Sequence, residues 1–213
     1  MLCGQAAATS SAVQPYCVLH ITDDDKRQVI ADLCGPQQKV RDCPAFFIIC
    51  GDLRKHMLVL DRADTPYKSS LEAFLVASID ASLFAQNFTL AFESLGYGTC
   101  YIGGIRNDLP QLDKLLNLPE GVLPFYGLCV GVPAETPSHR PRFAQQSMLF
   151  ENEYPSDTQT IANIDQYDDA YRAYLEQRGA KPNTWSASIE KKFSYAAREG
   201  LGSYFESKGA KFT

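Results

Sequence analysis

The sequence predicts an α/β core reaching to about residue 150, with a helical tail behind it. Three observations predict this. Short runs rich in aromatic and β-branched residues alternate with helical patterns as far as Pro133. The stretch 69–96 is apolar at helical spacing around most of its circumference. Beyond Pro133 the chain turns polar, first as a proline-marked basic loop at 134–146, then as amphipathic helices.

The first strand is "YCVLHIT", 16–22. A short helix follows in "DDDKRQVIADLCG", bracketed by its acidic start and Gly35, with Val29, Ile30 and Leu33 on one face. "AFFIICGD", 45–52, is apolar on both faces and therefore central. Residues 53–67 are polar, end in "DTPY" and read as a loop. The long helix comes next, with Leu71, Phe74, Leu75, Ile79, Leu83, Phe84, Phe88 and Phe92 at helical spacing. At 1.5 Å per residue it runs about 40 Å, which suits the middle of a structure or an interface. Asp80 inside this pattern reads as a bonded core polar group rather than a catalytic acid.

Gly96 and Gly98 match the first two positions of the dinucleotide fingerprint G-x-G-x-x-G, but Tyr101 occupies the third. The order of elements is also wrong, since a helix ends there and a strand begins. Gly96 is instead the left-handed residue expected past a helix C-terminus. "TCYIGGI", 99–105, is the third strand, "LPQLDKLLNLPEG" a short helix from about Pro110, and "LPFYGLCVGVP", 123–133, the fourth strand. Residues 157–178 and 184–207 read as two helices joined by "RGAKPN". The organisation is one domain with a core at 1–150 and a helical extension at 151–213 that packs on the core or on a partner subunit.

A net charge of -5 argues against general nucleic-acid binding. The seven cysteines form no C-x-x-C, and an odd number without a secretory segment points to free thiols in a reducing compartment. The three histidines are scattered without ligand spacing, so no metal site is expected. The N-terminus has no basic region and no sustained apolar stretch, and no window approaches a membrane span. A cytoplasmic protein without a membrane partner is the expectation.

Five segments together carry a family resemblance: "ATSSAVQ" at 8–14, "GPQQKV" at 35–40, "AQNFTLAFESLGYGTCYIGGIRND" at 85–108, "LPFYGLCVGVPAETPSHRPR" at 123–142 and "RGAKPNTWS" at 178–186. The chain resembles the FMN-dependent nitroreductase superfamily over nearly its whole length. It looks most like the branch of oxygen-insensitive NADPH nitroreductases and NADPH-flavin oxidoreductases. The resemblance implies an α+β fold with a central, mainly antiparallel sheet flanked by helices. It also implies a long buried helix, a helical C-terminal extension and an intertwined homodimer with FMN at the subunit interface.

It further implies the site residues. Thr9, Ser10 and Ser11 lie in the serine-rich stretch that contacts FMN in similar proteins; an ordinary loop or N-cap is the alternative. Gln37 matches a glutamine on the flavin side, where an amide can both donate and accept. Tyr101, Ile102, Gly103 and Gly104 form the segment that approaches FMN. Glycine lets backbone come close to a planar ring, whereas a glycine bulge ending a strand would serve no ligand. Arg140 and Arg142 match the basic pair at the FMN phosphate, two forks suited to a dianion; a solvated basic loop is the alternative. Arg178, Lys181 and Arg198 match groups near the NADPH phosphates.

Relatives carry an N-terminal arm with an "H-R-S-I-R"-like motif that grips the FMN phosphate, and this chain has no such motif. Each missing charge-assisted contact costs about 1.5–3 kcal/mol, so weaker FMN binding is expected. The activity implied is hydride transfer from NADPH to FMN, then reduction of small planar acceptors such as nitroaromatics, quinones or flavins by a ping-pong route. No catalytic side chain is expected, because the chemistry is the cofactor's. A truncated, non-catalytic protein of the same fold is the alternative.

Overall fold

The computed structural model describes residues 1–136 and 138–212; Pro137, in the basic loop, and the terminal Thr213 lie outside it. The described residues divide into two compact units, Met1–Ala134 with Arg198–Thr213, and Glu135–Ala197. The division thus falls at the start of the basic loop, and the last helix belongs with the core.

The first unit is built on four antiparallel strands, β1 (Tyr16–His20), β2 (Ala45–Asp52), β3 (Gly98–Ile102) and β4 (Val122–Gly131), in the order β1-β2-β4-β3. The two strands with the longest apolar runs, β2 and β4, are the central ones, as burial on both faces requires. An all-antiparallel sheet makes the fold α+β, as the resemblance implied; the α/β reading of the alternating elements is corrected. Strands can alternate with helices in sequence and still pair antiparallel.

Helices α1 (Leu2–Gln5), α2 (Asp24–Leu33), α3 (Gln38–Asp42), α4 (Arg54–Arg62), α5 (Leu71–Ser94), α6 (Leu109–Leu116) and α9 (Leu201–Ser207) also belong to this unit. Side-chain caps start three of them: Asp23 bonds Lys26 N–H, Ser70 bonds Ala73 N–H and Asp108 bonds Gln111 N–H. Gly96 follows α5 at φ +84°, the left-handed end read from the sequence. The segment read as a polar loop at 53–67 instead contains α4, anchored through buried Leu53 and Met57. The helix α9 is tied down by Lys208, whose buried ammonium donates to Asp113 at 3.0 Å and to the Leu118 carbonyl at 2.7 Å.

Only one face of α5 is buried, through Ala77, Asp80, Ala81, Phe84, Ala85 and Phe88. The opposite face exposes Leu71, Leu75, Ile79, Leu83 and Leu90. By length and composition α5 also meets the measure of a membrane span, contrary to the sequence reading. Its buried carboxylate and its packing against the sheet are those of a core helix.

The second unit contains α7 (Asp157–Gln177) and α8 (Trp185–Phe193). Phe143 stacks on Tyr167 with ring centroids 4.2 Å apart, and Trp185 meets Phe143 edge-on at 5.0 Å. The single helix expected at 184–207 is two, α8 and α9, because the chain breaks at Ser194–Gly200, where Arg198 takes a positive φ.

Candidate functional site

The serine-rich stretch is a tight turn. Ser11, Ala12 and Gln14 all have positive φ, 46°, 57° and 46°, without being glycine. Such residues cost about 1–2 kcal/mol each and persist only where neighbours hold them. Asp80, buried in the middle of α5, is the main holder. Its carboxylate accepts from the Thr9 hydroxyl and from the Ser10 N–H at 3.1 Å. The Thr9 hydroxyl in turn accepts from Gln14 N–H at 3.0 Å. His56 Nε2 bonds the Val13 carbonyl at 2.7 Å, and Lys55 reaches the Tyr16 carbonyl at 3.1 Å. Thr9 is thus occupied internally, whereas the exposed hydroxyls of Ser10 and Ser11 have no partner among the described residues. Asp80 is the bonded core polar group that its sequence context suggested.

Gln37 is the N-cap of α3, its carbonyl accepting from Val40 N–H at 3.0 Å and its own N–H donating to the Ala31 carbonyl at 3.0 Å, and its side-chain amide makes no bond among the described residues. Tyr101 closes β3 with its phenol 2.9 Å from the Thr89 hydroxyl. It lines an open cleft of about 350 Å³ with Ser82, Gln86, Gly103, Arg106 and Tyr126. The Tyr126 hydroxyl bonds Ser82 at 3.0 Å, and Arg106 donates to the Phe125 carbonyl. Burial, then the charge of Arg198, pull the Arg106 guanidinium below its usual pKa.

Ile102 points into the core, so only its backbone is available to a ligand. Gly103 and Gly104 open a 3-10 turn at Gly103–Asn107 and differ in kind. A Cβ on Gly104 would sit 2.5 Å from the Cys34 carbonyl oxygen at the end of α2, so packing alone explains that glycine. A Cβ on Gly103 would meet only the flexible end of Arg106, at 3.2 Å. Gly103 is therefore the glycine that leaves space on the cleft.

In the second unit a phenol organises the arginines. Arg178 Nη1 donates to the Tyr174 hydroxyl at 2.8 Å, and its guanidinium lies 5.5 Å from that ring's centroid. Burial alone would raise the Tyr174 pKa; hydrogen bonds with Arg178, Ser138 and Arg140 reverse this and hold the phenol below its usual value. Arg142 folds back onto the carbonyls of Arg140 and Pro141, both at 3.1 Å. Arg140, assigned to the FMN phosphate, and Arg178, assigned to NADPH, therefore both lie beside one side chain. Lys181 is exposed on the loop after α7. Arg198 belongs to the first unit, where its Nε donates to Asn107 at 2.9 Å beside Arg106.

Sequence reasoning missed Tyr174, although it lies one helical turn before Arg178, a spacing that brings side chains together. It also missed Ser82, Gln86 and Tyr126, which only the folded sheet and α5 bring beside Tyr101.

A family model described as "Nitroreductase family" matches residues 1–132, and one described as "Nitroreductase family, C-terminal domain" matches residues 140–213. A protein of Bacillus subtilis (strain 168) named "FMN reductase (NADPH)" is 37% identical over 211 residues, spanning 96% of this chain and 85% of its own length. The solved structure of a nitroreductase from B. subtilis matches with a TM-score of 0.94 at 35% identity, covering 98% of this chain and 87% of the other. That of NADPH:FMN oxidoreductase from Vibrio harveyi complexed with NAD+ matches at 0.90 and 32% identity, covering 100% and 87%.

Proposed function

The chain belongs to the nitroreductase family, and from that premise we propose that it is an FMN-dependent NADPH oxidoreductase that reduces small planar acceptors. The observation that carries the reading is the family match across both parts of the chain, with relatives named as NADPH-dependent flavin reductases and nitroreductases.

Residue by residue, the chemistry of the assigned groups suits the cofactor. The unpartnered hydroxyls of Ser10 and Ser11 and the side-chain amide of Gln37 suit ribityl and ring heteroatoms. Gly103 lets a planar ring approach the backbone. Arg140 and Arg142 supply guanidinium forks for a phosphate. Arg178, Lys181 and Arg198 are assigned to the NADPH phosphates. When bound, FMN supplies two-electron chemistry, accepting hydride from NADPH and passing electrons to nitroaromatics, quinones or free flavins. Donor and acceptor using one place in turn gives ping-pong kinetics. The protein binds, orients and excludes water; no side chain is assigned an acid–base step.

The enzyme is a homodimer in this reading. The exposed apolar stripe of α5, Leu71, Leu75, Ile79, Leu83 and Leu90, supports it, since so large an apolar face marks an interface. Ile79→Glu with Leu83→Glu is expected to give a monomer in sedimentation.

The test of function is an absorbance spectrum of the purified chain, with FMN and then NADPH added. A flavin band that bleaches on NADPH and returns on adding a quinone is the expected result. Arg140→Ala with Arg142→Ala should weaken FMN binding about 10- to 100-fold or more. A chain that takes up no FMN refutes the proposal.

A further inference from the structure

We propose that Cys17 and Cys50 form an oxidisable dithiol, a site where a hydroperoxide is reduced and the two thiols close a disulfide between β1 and β2. None of the flavin chemistry uses either residue.

The sheet register sets Cys17 directly opposite Cys50. Opposed residues of antiparallel strands have Cα atoms about 4.5–5.5 Å apart and side chains on the same face. A disulfide needs about 4.4–6.8 Å, so the strands are already at bonding distance. The two thiols therefore stand side by side on one face of the sheet. Their surroundings differ as an attacking and a resolving thiol require. Cys17 is partly exposed and lines a surface cleft of about 230 Å³ with Gln14, Tyr16 and Lys55. Cys50 is fully buried. The neighbouring Cys17 thiol, and then burial, push the Cys50 thiol up, which keeps it protonated.

The chemistry balances. Cys17 Sγ, as thiolate, attacks one oxygen of the hydroperoxide. The O–O bond breaks, an alcohol (or water, from hydrogen peroxide) leaves with a proton, and Cys17 becomes a sulfenic acid. Cys50 Sγ then attacks Cys17 Sγ. The S–S bond forms, the S–O bond breaks, and hydroxide leaves with the Cys50 proton as water. Two electrons pass from the thiol pair to the peroxide.

The same sheet holds a comparison, because Cys100 stands opposite Cys129 on β3 and β4. Cys129 is buried, and its thiol already donates to the Lys39 carbonyl at 3.5 Å.

The experiment treats the reduced chain with a modest excess of hydrogen peroxide, alkylates the remaining thiols and maps the digest without reduction by mass spectrometry. The expected result is a Cys17–Cys50 linked peptide with loss of two of the seven thiols, reversed by dithiothreitol. Cys50→Ser, checked for folding by circular dichroism, should leave a Cys17 sulfenic acid that dimedone traps; Cys50→Ala serves if the serine variant does not fold. Oxidation at Cys100–Cys129 ahead of this pair would overturn the proposal. So would a Cys17–Cys3 link, or Cys17 driven to sulfinic acid with Cys50 still free.

Discussion

Replacing Asp80 with alanine removes the anchor of the 9–14 turn, and the size of the effect follows from two opposing terms. The carboxylate accepts two hydrogen bonds, from the Thr9 hydroxyl and the Ser10 N–H. Bonds to a charged group contribute about 1.5–3 kcal/mol each, so the anchor is worth about 3–6 kcal/mol. Against it stand three non-glycine residues at positive φ, costing about 3–6 kcal/mol together. The terms are comparable, so the turn is held with little to spare. Without Asp80 the turn relaxes and recovers its strain. The global loss is therefore smaller than the anchor itself, about 1–3 kcal/mol, while local protection is lost altogether.

Urea denaturation reads the first quantity and hydrogen exchange of a peptide spanning the turn reads the second. Asp80→Ala should lower the urea midpoint modestly and bring the Ser10–Gln14 amides to nearly free exchange. Ala12→Gly on the same background should restore part of the protection, because glycine adopts φ 57° without strain. In the cofactor reading, FMN affinity falls with the protection. An Asp80→Ala protein within about 0.5 kcal/mol of the parent, its turn still protected, would refute the balance of anchor and strain.

Three further outcomes follow from the packing and the charges. Gly104→Ala forces a Cβ to within 2.5 Å of the Cys34 carbonyl oxygen and should cost about 1–3 kcal/mol in a thermal melt, with no loss for Gly103→Ala beyond a readjusted Arg106. Lys208→Met leaves half-buried Asp113 and the Leu118 carbonyl without their donor and should cost about 1–3 kcal/mol by chemical denaturation. Ultraviolet titration should find Tyr174 ionising below the ordinary tyrosine value, and Arg178→Ala should move it up. Because the folded-state value is the lower one, its contribution to stability is present above a pH of about 10 and is lost as pH falls through the depressed value.

The elements that the sequence made legible are those whose own residues carry the signal. The strand β2 shows it as an unbroken apolar run, α5 as a long helical stripe, and α6 as a helix opened by Pro110 and stopped before Pro119. The helix α4 was hidden because its sequence is mostly solvent-facing; of its nine residues only Met57 is buried. No local pattern distinguishes that from a polar loop, and contact with the rest of the unit decides it. The sheet's sense was hidden for a related reason: pairing direction is a property of two strands, while periodicity describes one.

The same division runs through the candidate site. Residue types were legible, and Arg140 and Arg178, read from two separate motifs, both lie beside Tyr174. Their shared partner was not, since a tyrosine on an amphipathic helix looks like core until Arg178 is seen bonded to its hydroxyl. This bears on how the cations act. A guanidinium bonded to a phenol held below its usual pKa is already oriented before any phosphate arrives, so less rotamer freedom is lost on binding. Tyr174→Phe keeps every arginine and removes only that orientation. If the phenol positions them, the variant binds NADPH several-fold more weakly, with an unchanged rate at saturation. If the arginines act as independent charges, the Michaelis constant does not move.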